Sequence, residues 1–211
     1  MGQLIDIRER LGRGAKRPAQ GNGGAIFRVR LCGPDLRWIG LIGGILAGAF
    51  AREGFFAAFD GPEYSLGGPP MLCLRAGRQM ITETGPARNP GLVVAGTEAF
   101  PALLQGCDEA AVLLAPEADP EEVRRLVFPG RKVPLSMADA EPLGTAVACA
   151  GGAARLLGAI GWSELALALN QELTLNSRAA EEHYLQLALE AYDQLAPWAG
   201  VVPEIPEETS P

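Results

Sequence analysis

The stretch from Ile26 to Phe59 constrains this chain more than any other, because strand, helix and strand follow one another with short joints between them. Ile26-Phe27-Arg28-Val29-Arg30-Leu31 reads as a strand, Ile39 to Arg52 as a helix packed closely through small residues, and Phe55 to Phe59 as the next strand. That order predicts a βαβ unit. A loop, Gly61-Pro62-Glu63-Tyr64-Ser65-Leu66-Gly67-Gly68, follows it.

Further along, Met71 to Arg75 and Gln79 to Thr84 alternate and predict a hairpin across Ala76-Gly77. Leu92-Val93-Val94-Ala95 is a short apolar run that suits a buried central strand, and Thr97 caps a helix expected over Glu98 to Leu104. Ala110 to Leu114 is the next strand. Asp119-Pro120-Glu121-Glu122 then supplies an N-cap, a proline at the first helical position and a glutamate three residues after the cap. Lys132 to Leu135 closes the strand series, and from Gly144 to about Pro197 the pattern is helical. In the last helix Tyr184, Ala188, Ala191 or Tyr192, and Leu195 share one face, with Glu181, Glu182, Gln186, Glu190 and Asp193 turned away. Strands alternating with helices, then a helical end, predict a three-layer α/β/α, Rossmann-like domain with a mostly parallel sheet.

The expected organisation is a basic N-terminal arm over residues 1–24, the α/β domain over 25–198, and a Pro- and Glu-rich tail over 199–211. A chain of 211 residues with 27 Gly and 17 Pro can bury a full core in a loop-rich body. Ile39 to Phe50, bounded by Arg37 and Arg52, is the longest apolar run and is short of a membrane span. With no export signal read at the start, the cytoplasm is the expected compartment. The net charge of −7 argues against nucleic acid as a partner. Residues 1–30 depart from this with seven basic residues against two acidic, a balance of +5 that leaves −12 for the remainder. Such a segment reads as an extension lying along a partner.

No catalytic constellation emerges. Cys32, Cys73, Cys107 and Cys149 are spaced tens of residues apart, which fits neither a zinc site nor an iron–sulfur ligand run and reads as reduced, partly buried thiols. His183 falls on the solvent side of the last helix. Gly40, Gly44 and Gly48 recur four apart and predict close packing of that helix on the sheet, or else a subunit contact. Gly33-Pro34-Asp35-Leu36-Arg37-Trp38 stands where a phosphate-binding turn would lie, but Pro34 removes a donor and Trp38 fills space, which argues against ordinary dinucleotide binding. The loop from Gly61 to Pro70 follows a predicted strand at the edge where α/β sheets take ligands and partners. A nucleotide-handling fold without catalytic parts reads as a subunit whose chemistry is completed by other chains.

These elements together resemble the gamma subunit, or gamma domain, of 2-oxoacid:ferredoxin (acceptor) oxidoreductases, from about Ile26 to Trp198. The resemblance is carried by Gly33 in the first turn, Glu53-Gly54 at the helix end, the aromatic strand Phe55 to Phe59, Gly61-Pro62-Glu63 and Gly67-Gly68. Asn89-Pro90-Gly91-Leu92-Val93-Val94, the small-residue helix through Thr145-Ala146-Val147-Ala148 and Leu156-Leu157-Gly158, and the closing helix Asn176 to Tyr192 extend it. The family's GRGGQG turn is replaced here by residues 33–38. The resemblance implies a complex that decarboxylates a 2-oxoacid on thiamine diphosphate, passes electrons through [4Fe-4S] clusters to ferredoxin or a similar acceptor, and forms an acyl-CoA. It implies alpha, beta and ferredoxin-like delta partners that hold the cofactors, with none on this chain. It places Gly61, Pro62, Glu63, Gly67 and Gly68 at the coenzyme A side. A degenerate gamma-like scaffold and a free-standing small-molecule-binding α/β protein are the alternatives.

Overall fold

Alternation along β1 (Ala25–Cys32) sends Phe27, Val29 and Leu31 to one face of the sheet and Arg28, Arg30 and Cys32 to the other. This strand lies inside a sheet ordered β2-β3-β1-β4-β5-β6 in the computed structural model, which describes residues 24–64, 69–81, 89–95, 106–117, 120–137, 141–173 and 177–207. The strands are β2 (Phe56–Tyr64), β3 (Pro70–Gly77), β4 (Leu92–Ala95), β5 (Val112–Glu117) and β6 (Arg131–Ser136). β1, β4, β5 and β6 run parallel, as the strand–helix alternation predicts.

β3 departs from expectation. Ala76 and Gly77 do not turn a hairpin; they end β3, which runs antiparallel between β1 and β2, with Phe27 opposite Ala76 on one side and Ala57 opposite Ala76 on the other. The opening βαβ unit is therefore split by a third strand. Local pattern shows that 71–77 is a strand but not which neighbour it takes, because Leu72, Leu74 and Ala76 could complete any apolar face. Residues 82–84 and the helix expected over 98–104 with its cap Thr97 lie outside the described residues. The fifth strand begins at Val112, two residues later than expected.

The helices are α1 (Leu36–Arg52), α2 (Pro120–Arg125), α3 (Pro142–Leu157), α4 (Trp162–Glu172) and α5 (Arg178–Gln194), with a 3₁₀ turn at Ala196–Trp198. α1 and α3 cover the face lined by Val29, Leu31, Leu74, Leu92, Val94 and Leu114, forming the main core. α4 packs on α1 and α5 on α3, so the helical end forms a second layer outside the first. On the opposite face a smaller cluster of Val93, Leu113, Ala115 and Val123 lies beneath α2. The face of α5 is as its period predicts, with Tyr184, Ala188, Ala191 and Leu195 buried.

The glycines of α1 divide between two neighbours. A β-carbon on Gly43 would come within 3.0–3.3 Å of Phe59, Leu72 and Leu31, so this glycine brings the helix onto the sheet. The Gly40, Gly44 and Gly48 row does not do that. Gly48 faces Ala168 of α4, Gly44 lies under Glu172, and Gly40 has nothing within 4 Å. The row expected to meet the sheet mainly admits another helix.

Two ends of the chain also correct the sequence reading. Arg28 and Arg30, counted above with the basic arm, are buried in β1. Part of the expected tail is built into the domain: Val202 is buried, and β7 (Ile205–Pro206) pairs antiparallel with Ala25 and Ile26. Arg28 lies directly opposite Arg75, an arrangement that like charge disfavours. Asp60 forms an ion pair with Arg75, and Arg28 Nη2 donates to the Pro206 carbonyl at 3.1 Å. The tail thus gives one arginine of the row a carbonyl acceptor, and Asp60 supplies the counter-charge.

Glu53 links distant parts of the fold. Its Oε1 accepts from the Gly161 N–H at 2.8 Å, placing a carboxylate at the start of α4, whose own N-cap glycine has no side chain to offer. Its carbonyl accepts from Arg78, whose guanidinium stacks 3.9 Å from the centre of the Phe55 ring. Glu53→Ala is expected to cost about 1 kcal/mol of stability, the worth of a helix N-terminal cap, read from a urea unfolding midpoint. An unchanged midpoint would show that water replaces the carboxylate there without loss.

Candidate functional site

β1, β4, β5 and β6 all end at one edge of the sheet, and α1, α2 and α3 start from it, so helix N-termini gather where parallel strands stop. The end of β2 and the start of β3 reach the same edge, since Cys32 pairs with Met71 and Tyr64 with Pro70. Asp35, Leu36, Arg37 and Pro70 line an open depression of about 500 Å³ there. It is bounded by the first turn of α1 on one side and the start of β3 on the other.

The turn into α1 is closed from inside. Asp35 Oδ1 accepts from the Trp38 N–H at 2.8 Å and is the helix cap. A β-carbon on Gly33 would run into the buried Trp38 indole. Gly33 therefore serves the packing of a tryptophan, where a glycine-rich phosphate turn would keep its amides open to an anion. The helix begins at Leu36, three residues before the start read from sequence, because Asp35 is a capping residue.

Gly61 and Pro62 are not in a loop after β2 but within it, at a register shift between Asp60 and Glu63. The Gly61–Pro62 peptide is cis, and Gly61 has φ +105°, a conformation that side chains disfavour. Beyond the irregularity the strand resumes, with Glu63 opposite Met71. Gly61, Pro62 and Glu63 are thereby brought to the same edge as Asp35 and Arg37. Gly67 and Gly68 lie outside the described residues.

Among the described residues, the cysteines near this edge are not set up as nucleophiles. Burial pushes the Cys32 thiol up to about 12 against the opposing pull of Arg30. Burial likewise raises Cys107, whose sulfur lies 3.7 Å from Arg30 Nη1, and Cys149. These thiols stay protonated at neutral pH, which disfavours them as nucleophiles. Among the described residues no three His, Cys, Asp or Glu side chains are grouped to hold a metal ion. His183 is exposed on α5 and stacks edge-on against Tyr184. No described helix is long and apolar enough to cross a membrane.

The buried row of Arg28, Arg30 and Arg75 with Asp60 escaped sequence reasoning. The alternation Arg28-Val29-Arg30 inside a strand was its only signal, and in a charge count it merged with the arginines upstream.

No family model matches the chain, and no curated protein matches it in sequence. The architecture does have solved counterparts, and they share its α/β fold. It is similar to the pyruvate oxidoreductase subunit PORC of Thermotoga maritima, with a TM-score of 0.65 at 20% identity, over 80% of this chain and 96% of that one. It is also similar to the gamma subunit of a keto/oxoacid ferredoxin oxidoreductase from Geobacter sulfurreducens, with a TM-score of 0.59 at 15% identity, over 80% and 97% of the two chains. A third likeness is to 2-oxoglutarate:ferredoxin oxidoreductase from Magnetococcus marinus, with a TM-score of 0.59 at 16% identity, over 86% of this chain and 32% of that one. At such identities the likeness is one of fold.

Proposed function

We propose that this chain is a gamma-type subunit of a 2-oxoacid:acceptor oxidoreductase complex, one that converts a 2-oxoacid to an acyl-CoA and passes electrons to ferredoxin or a similar acceptor. The observation that carries the reading is the extent of the likeness. The match takes in 96–97% of two separate subunits and only 32% of a longer enzyme chain, as a self-standing gamma module should. Thiamine diphosphate and the clusters belong on partner subunits in this reading. The spacing of the four cysteines, tens of residues apart, supports that placement.

The chain's contribution is geometric. The tip carrying Gly61, Pro62 and Glu63, with Gly67 and Gly68 beyond, borders the coenzyme A side, and the basic arm over residues 1–24 lies along a partner. The Trp38-filled turn favours a second reading, a degenerate scaffold that assembles partners without shaping any ligand site. Isolation of the tagged chain from its native cells separates these from a free-standing protein. Co-purification with chains containing thiamine diphosphate and iron–sulfur clusters is expected. Recovery without any companion would overturn the subunit reading.

A further inference from the structure

The two edges of the sheet are built differently. β6 carries Arg131, Lys132 and Pro134, the charges and proline that keep an exposed edge from adding another strand. β2 has none of these in its first four residues, Phe56-Ala57-Ala58-Phe59, and its proline comes only at the irregularity. Among the described residues β2 has one strand neighbour, β3. Phe56 and Phe59 are 36% and 38% exposed, on opposite faces of this edge. An open row of backbone N–H and C=O groups flanked by aromatic rings accepts one kind of partner, another strand.

We propose that the occupant is a second copy of this chain, joined antiparallel through residues 56–60 about a two-fold axis at Ala58. The straight part of β2 ends at Asp60, so Ala58 is its midpoint. Pairing there sets Ala58 opposite Ala58, Ala57 opposite Phe59, and Phe56 opposite Asp60. Each Phe59 thus meets a small residue, Ala57, across the pair. On the helix-covered face each Phe59, seated beside Gly43, lies over Ala57 of the other copy. On the other face the two Asp60 carboxylates fall at opposite ends of the pair, each already paired with Arg75 in its own chain. No like charges meet across the axis, and the contact is isologous, so it closes at two copies. Five residues a side bury less than the roughly 800 Å² per partner of a standard stable interface, so the association is read over a wide range of concentration. The pairing does not depend on the complex proposed above, and the test uses the full chain by itself.

Sedimentation equilibrium across about 5–200 µM, which reads dissociation constants of micromolar order, is expected to show the mass rising from 22.2 kDa toward twice that value. Phe59→Lys should weaken the association at least about 10-fold while leaving the circular dichroism spectrum as in the parent. Register is read separately, so that a poorly folding lysine variant does not decide the matter. Ala58→Cys should link to itself under air, two thiols losing two electrons and two protons to dioxygen to form one disulfide. Phe56→Cys should link far more slowly, because its counterpart is Asp60. A single-chain mass at every concentration, a dimer indifferent to Phe59→Lys, or equal linking at 56 and 58 would each overturn the proposal.

Discussion

Gly151→Val is expected to lower the unfolding free energy by about 3 kcal/mol, the upper range for forcing atoms into a packed interior. Gly151 sits where α3 crosses α5, and a β-carbon there would run into the Ala188 carbonyl, with Ala188 Cα at 3.1 Å. The obstruction is helix backbone, which cannot swing aside as a side chain could. Relief would require α5 to move and to loosen the seats of Tyr184, Ala188, Ala191 and Leu195. The control is Gly40, a helical glycine with nothing within 4 Å. Gly40→Ala should stabilise by about 0.5–1 kcal/mol through helix propensity alone. Urea titrations of both variants check the pair. Similar gains at both sites would mean that the helices approach less closely than described.

Gly61→Val is expected to act on function more than on folding. Its φ of +105° is one that a valine resists at a cost of roughly 1–3 kcal/mol, and Gly61 is exposed, so the strain falls on the path of the chain. That path carries Pro62 and Glu63 and leads to Gly67 and Gly68. A displacement of about 1 Å in a positioning element can cost on the order of 100-fold in rate. In the complex proposed for this chain the variant should lose 10- to 100-fold of the CoA-dependent turnover that the proposal assigns to it, a range taken from that misplacement effect, while still assembling. Assembly with unchanged turnover and unchanged apparent affinity for CoA would favour the scaffold reading.

Much of this architecture was legible because local chemistry and final environment agree. Leu92-Val93-Val94-Ala95 is apolar throughout and is buried on both faces, and Asp119-Pro120 announces α2, whose first residue is Pro120. Trp38 was legible as a space-filler, and its indole is packed against Gly33. Long-range partners were not. The carboxylate of Glu53 and the amide of Gly161 are 108 residues apart, and no local signal joins them. β3 reads equally well as half of a hairpin or as an inserted strand, since strand identity follows from alternation and neighbour choice from the whole core. Arg28 and Arg30 were misjudged because counting charge along a chain ignores which face a strand residue takes. At the candidate site, Gly61, Pro62 and Glu63 read from sequence as part of a loop, and their incorporation into β2 depends on pairing with β3, which lies later in the chain.

The subunit reading is tested most directly by activity with and without this chain. The partner subunits isolated from the native complex are assayed for CoA-dependent reduction of a one-electron dye by a panel of 2-oxoacids, first alone and then with the purified chain restored. Activity is expected to be lost on removal and to return with one equivalent of the chain. Partner subunits that turn over equally well without it, or that never bind it, would contradict the proposed role.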